Sequence, residues 1–83
     1  MTLLYFAWVR QSVGCSEENL PLPDNVRTIE ELITYLRARG GPYEQVFGQP
    51  DRLRAALNRE HVRFDANLHN EDEIAFFPPV TGG

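Results

Sequence analysis

One segment of this chain carries a full set of helix signals, and it limits what the rest can build. Thr28-Ile29-Glu30-Glu31 reads as a capping box: the threonine hydroxyl accepts from the third helical amide while Glu31 reaches back. Ile29, Leu32, Ile33 and Leu36 fall at i, i+3, i+4 and i+7, giving a single apolar stripe. Two glutamates in the first turn suit the positive end of the helix dipole. Arg37 and Arg39 suit the other end, and Gly40-Gly41-Pro42 stops the helix. One stripe covers one surface. In a chain of 83 residues, near the lower limit for a core without staples, the remaining apolar runs must supply that surface as a sheet. The helix then packs on one sheet face and leaves the other open.

Those runs read as short strands. Thr2 to Val9 is rich in aromatic and aliphatic residues and predicts a first strand, with Leu3, Tyr5, Ala7 and Val9 on one face and Leu4, Phe6 and Trp8 on the other. Both faces are apolar, so either both are buried or the second meets a partner. Gln11 to Asn19 reads as a loop, and Asn19 to Pro23 as a strand that its prolines confine to an edge. Pro42 to Gln49 predicts a helical turn placing Tyr43, Val46 and Phe47 on the core. Leu53 to Asn58 fits a strand with Leu53, Ala55 and Leu57 inward, although its composition also allows helix. Asn58-Arg59-Glu60 reads as a turn before a strand from His61 to Phe64, and Asp65 to Asp72 as a polar loop around Leu68. Glu73 to Phe77 is the last strand, with Ile74 and Phe76 facing one way, Ala75 and Phe77 the other.

The formal charge of −4 disfavours nucleic acid, which needs clustered cations. All eight basic residues are arginine. The absence of lysine suits a chain whose own terminus becomes an activated acyl group, and equally suits a general preference for arginine. The four arginines at 52, 54, 59 and 63, interleaved with Asp51, Glu60 and Asp65, read as a solvated face. The single cysteine, Cys15, rules out an internal disulfide, fits a reducing, cytoplasmic setting, and has no sequence neighbour to activate its thiol. The apolar run from Leu3 to Val9 is too short to span a membrane and has the flanks of neither an anchor nor a signal peptide. His61 and His69 lack companions at metal-ligand spacing, so no metal is expected. No phosphate loop, dinucleotide fingerprint or nucleophile elbow occurs.

The last eight residues are Phe76-Phe77-Pro78-Pro79-Val80-Thr81-Gly82-Gly83. The proline pair should end the strand and hold the backbone extended. A division follows, with a domain over residues 1–77 and an extended, flexible tail over 78–83 that reaches about 20 Å at about 3.3 Å per residue. Glycines at 82 and 83 admit the backbone to a channel too narrow for a Cβ, which makes the Gly83 carboxyl a candidate reactive group. The competing reading is an ordinary frayed terminus.

Strand, strand, helix, strand, strand is the order of an α+β, ubiquitin-like β-grasp: a mixed sheet with one main helix on one face. With its ending, the chain resembles the small-subunit family of molybdopterin synthases, the sulfur carriers. The resemblance rests on Ala55-Ala56-Leu57-Asn58, Phe64-Asp65, Leu68 and Asp72 to Gly83. Phe6-Ala7, Val9-Arg10 and Gly14 add to it, while residues 16–50 match in pattern only. It implies a carrier that is catalytically silent alone. A partner adenylyltransferase of the ubiquitin-activating type, using ATP and magnesium, would adenylate Gly83; sulfur would then replace AMP to leave a thiocarboxylate. Within a heterotetramer with the large subunit, Pro78, Pro79, Val80, Thr81, Gly82 and Gly83 would enter the partner's pocket and sulfur would pass to cyclic pyranopterin monophosphate. No cofactor would be bound by the chain itself.

The resemblance also implies docking through an apolar patch containing Phe6 and Phe77, beside Leu4. At His61 the family has an aliphatic residue, and Trp8 would compensate. At Asn70-Glu71 an Asp-Gly turn is common in the family, and a left-handed Asn70 would preserve it. Two rival functions stand beside this one: sulfur delivery for thiamine or tRNA, or conjugation to proteins, by the same activation chemistry; and a noncovalent interaction domain with an irrelevant tail.

Overall fold

The structure, a computed structural model, describes residues 1–79. In chain order it comprises β1 (Thr2–Tyr5), α1 (Ala7–Val13), β2 (Glu17–Asn19), α2 (Ile29–Arg37), α3 (Pro42–Phe47), a 3-10 turn (Pro50–Arg52), β3 (Arg54–Leu57), β4 (Glu60–Val62) and β5 (Glu73–Phe77). The strands form one five-stranded sheet in the order β2-β1-β5-β3-β4. β1 and β5 run parallel, Leu3 beside Ile74 and Tyr5 beside Phe76, and the other neighbours are antiparallel. This is the expected α+β arrangement, with β5 between the two hairpins.

The helix at Thr28 forms as its sequence dictates. Thr28 Oγ1 accepts from the Glu31 amide at 3.2 Å. The Glu31 carboxylate reaches back to the Arg27 amide at 2.7 Å, one residue before the usual capping-box partner. Ile29, Leu32, Ile33 and Leu36 are all buried, packed with Leu3, Tyr5, Ile74 and Phe76 of the sheet. At roughly 1.5–3 kcal/mol per buried large side chain, this stripe dominates the helix's stability. α3 adds Val46 and Phe47, and the Phe47 ring meets Phe76 edge-on at 5.1 Å and Tyr5 at 6.4 Å. The 53–58 segment forms a strand over Arg54–Leu57 and is not helical. Leu53 and Ala55 are buried, while Leu57 is half-buried.

The first segment departs from expectation. The strand ends at Tyr5, and α1 replaces both the strand's second half and part of the expected loop. Ala7 takes φ 53°, and the Val9 and Arg10 amides turn back to the Phe6 carbonyl at 3.1 and 3.4 Å. A left-handed alanine costs roughly 1–2 kcal/mol, offset here by burying Val9 against the core. Gly14 closes α1 at φ 89°, its amide donating to the Arg10 carbonyl at 2.9 Å. The edge strand β2 precedes the expected 19–23 segment, whose prolines lack the donors a ladder needs.

Two turns are also tighter than expected. The β3–β4 hairpin turns on Asn58 and Arg59 alone, both left-handed (φ 50° and 73°), so Glu60 already belongs to β4 and pairs with Leu57. Near the end, the Asp72 amide donates to the His69 carbonyl at 3.0 Å without a left-handed Asn70. Asn70 contributes its side chain instead, accepting from the Leu22 amide at 2.9 Å.

Candidate functional site

Strand alternation sorts the sheet's side chains. Leu3, Tyr5, Ala55, Ile74 and Phe76 point into the core under α2. Their neighbours face away, in rows set by the register. The middle row runs Glu17, Leu4, Ala75, Ala56, His61 across all five strands. The row beyond it, toward the end of β5, contains Phe77 opposite Arg54. Phe6 extends that row on the β1 side: its backbone is extended (φ −123°, ψ 156°) and its amide donates to the Phe76 carbonyl at 3.1 Å. On the far side of the middle row lie Asn19, Thr2 and Glu73.

The structure thus brings together Leu4, Phe6, His61 and Phe77 among the expected partner-binding residues. Phe6 is 49% exposed, the more exposed of only two large apolar side chains so open among the described residues. Phe77 is half-buried because the His61 ring lies against it, centroids 5.1 Å apart and tilted by 59°. An imidazole on an aromatic ring covers apolar surface while keeping polar nitrogens at the edge.

Trp8 does not join this face. It lies in α1, half-buried against the core, with the Arg52 guanidinium 4.7 Å above its ring. The strand alternation that placed it beside Leu4 and Phe6 fails because the left-handed turn at Ala7 ends the strand first. Trp8 therefore does not take the place of the aliphatic residue missing at His61. Arg54, which its interleaved charges assign to a solvated run, stands on this face, paired across from Phe77. The same period-two count that assigned Ala55 inward would have found it.

Pro78 and Pro79 continue from β5, half-buried, at the edge of this face. The candidates Val80, Thr81, Gly82 and Gly83 lie outside the described residues.

On the opposite edge, β2 is tied down by a polar cluster. Glu18 accepts from the Tyr5 hydroxyl at 2.9 Å and from the Tyr43 hydroxyl at 3.3 Å, and pairs with Arg39 at 2.7 Å. Burial alone would raise the Glu18 carboxyl. The hydrogen bonds from Arg39 and Tyr5, Arg39's charge and the Tyr43 contact outweigh that and hold it below the usual range. Burial, followed by the bond to Glu18, pushes the Tyr5 phenol upward. Cys15 is a free, half-buried thiol. Among the described residues no three or more metal-binding side chains cluster, and no helix is long and apolar enough to cross a membrane.

The ThiS family model matches residues 3–83. This chain belongs to the ThiS family. ThiS-family relatives include the molybdopterin synthase sulfur carrier subunit of Escherichia coli (strain K12), 37% identical over 81 residues, covering 98% of this chain and 96% of that protein. The corresponding Haemophilus influenzae subunit is 32% identical over 83 residues, covering 100% and 99%. The crystal structure of SAMP1 from Haloferax volcanii superimposes with a TM-score of 0.74 at 26% identity, covering 100% of this chain and 98% of that one. The fold is therefore the ubiquitin-like β-grasp, and the resemblance to the sulfur carriers extends over nearly the full length.

Proposed function

We propose that this ThiS-family chain is the sulfur carrier subunit of a molybdopterin synthase, serving molybdenum cofactor biosynthesis in the cytoplasm. One observation carries the reading: the strand bearing Phe77 on the open sheet face leads directly into Pro78-Pro79 and the sequence Val-Thr-Gly-Gly. A docking face and a slender acyl terminus are thus joined through a single strand. Docking the face delivers the terminus.

With Gly83 as the terminal residue, its carboxylate attacks the α-phosphate of ATP on an adenylyltransferase of the ubiquitin-activating type, with magnesium, and pyrophosphate leaves. The terminal sulfur of a persulfide displaces AMP, and a thiol reduces the resulting S–S bond to leave a thiocarboxylate on Gly83. This group is anionic and nucleophilic near neutrality. The large subunit, in a heterotetramer, then takes the tail; the thiocarboxylate sulfur bonds to cyclic pyranopterin monophosphate, and water cleaves the acyl carbon–sulfur bond, leaving the sulfur on the pterin and a plain carboxylate on Gly83. The chain's own residues supply docking, reach and steric slimness. The chemistry belongs to its partners.

The test is reconstitution with the activating enzyme, ATP, magnesium and a persulfide donor, followed by intact-mass measurement with fragmentation. Exchange of one oxygen for sulfur on the C-terminal peptide is expected. Deletion of Gly83 should abolish sulfur transfer while leaving the fold and large-subunit docking unchanged. Molybdopterin formation that survives the deletion would overturn the reading.

A further inference from the structure

Two arginines occupy the open face where the tail begins. Arg54 pairs in register with Phe77, and continuing the β3–β4 register by one residue sets Arg63 across from Arg54. The row at the root of the tail thus reads Phe6, Phe77, Arg54, Arg63 from β1 to β4. Like charges directly opposite on one sheet face destabilise it. Among the described residues no carboxylate pairs with either arginine. Among the described residues the ion pairs are Arg39 with Glu18 and His69 with Asp72, and neither involves this row. Among the described residues Arg54 donates to the neighbouring Leu53 carbonyl alone, at 2.8 Å. Asp51, Glu60 and Asp65, its acidic neighbours in sequence, form no pair with it. Both arginines are exposed in a chain whose formal charge is −4.

From this row we infer that Arg54 and Arg63 form the electrostatic half of the docking face, and that the protein receiving the tail presents carboxylates to them beside an apolar patch that covers Phe6 and Phe77. The inference rests on the sulfur-carrier reading, with the synthase large subunit as occupant. The breadth of the row favours a protein over a free anion, since one occupant must cover Phe6 and Phe77 as well as meet the arginines; three open cavities along α2 are lined by neither Arg54 nor Arg63. The two halves divide the work. The phenylalanines supply area, while the arginines fix register through forked N–H···O pairs and steer approach. Glu17, at the β2 end of the middle row, and Glu73, in the row on its far side, oppose the reversed orientation by repelling the same carboxylates.

The test is calorimetric titration of the full chain into the purified large subunit at about 0.05 and 0.5 M NaCl, where screening lengths differ severalfold. The variants are Arg54→Gln, Arg63→Gln, their double, and Arg27→Gln as an exposed control remote from the face. The double variant should bind at least about tenfold more weakly at low salt and lose most of the wild-type salt dependence, with the control unchanged. Wild-type binding that the double variant reproduces at both salts would overturn the inference and leave the carrier reading standing. Failure of the wild-type chain to bind at all would overturn both.

Discussion

Phe76 and Phe77 are adjacent in sequence and stand on opposite sides of the sheet: Phe76 is fully buried against Phe47, ring centroids 5.1 Å apart, while Phe77 lies under His61 on the open face. Two identical side chains therefore do different things. Phe76→Ala should cost about 3–5 kcal/mol by opening a cavity. Phe77→Ala should cost about 1 kcal/mol or less yet weaken large-subunit binding severalfold. Urea denaturation and binding titrations on both variants check this. A large stability loss from Phe77→Ala would mean that Phe77 serves the core and not docking.

Glu18 fastens the edge strand β2 to Tyr5, Tyr43 and Arg39, and its carboxyl is held below its ordinary value of 4.5. A depressed folded value means that the contribution is full above the unfolded value and disappears as pH falls through the folded one. Glu18→Gln should therefore destabilise the protein by about 1 kcal/mol at neutral pH, the net worth of a typical intramolecular hydrogen bond. The gap between wild type and variant should close as pH falls below the ordinary value of 4.5 and through the lower folded one. Comparing urea midpoints across that range decides it; a gap independent of pH would rule out the ionised cluster as its source.

The β3–β4 turn holds Arg59 at φ 73°, a conformation that suits glycine. Asn-Gly is the preferred pair for such a two-residue turn. Arg59→Gly should raise stability by about 0.5–1 kcal/mol, the left-handed strain outweighing glycine's greater freedom when unfolded. Thermal unfolding would show this as a higher midpoint, and a lower one would mean that the arginine stem packs usefully.

Thr28→Ala removes the acceptor for the Glu31 amide and should cost about 1 kcal/mol, whereas Thr28→Ser should cost little. Amide exchange is the sensitive readout. Protection should fall first at the start of α2.

Much of this protein was legible in its residues because local chemistry decides local structure. The cap at Thr28, the stripe of Ile29, Leu32, Ile33 and Leu36, and the alternation of Ile74 and Phe76 against Ala75 and Phe77 each depend on spacing alone. The observed elements follow them. The Leu4, Phe6 and Phe77 side of the sheet was likewise readable from period two. Trp8 was not. Its segment has strand composition and Phe6 makes no side-chain cap, so nothing local announces a helix at Ala7. The left-handed turn persists because burying Val9 against the assembled core offsets its strain, and that gain exists only once the core is built.

The amino-acid sequence by itself determined the capped helix and the core side of β1, β3 and β5, and it singles out the Gly-Gly ending as the candidate reactive group, since propensity, periodicity and side-chain type act over a few residues. Tertiary structure alone decided that Phe6, Phe77 and Arg54 share one row, which the β3–β4 register continued by one residue extends to Arg63. Their alignment comes from the parallel pairing of β1 with β5 and the antiparallel pairing of β3 with both neighbours, a register set by burial of Leu3, Tyr5, Ile74 and Phe76 together. A slip of one residue in any strand would turn its core side chains to the open face, which is why the core's packing also fixes which side chains the open face presents.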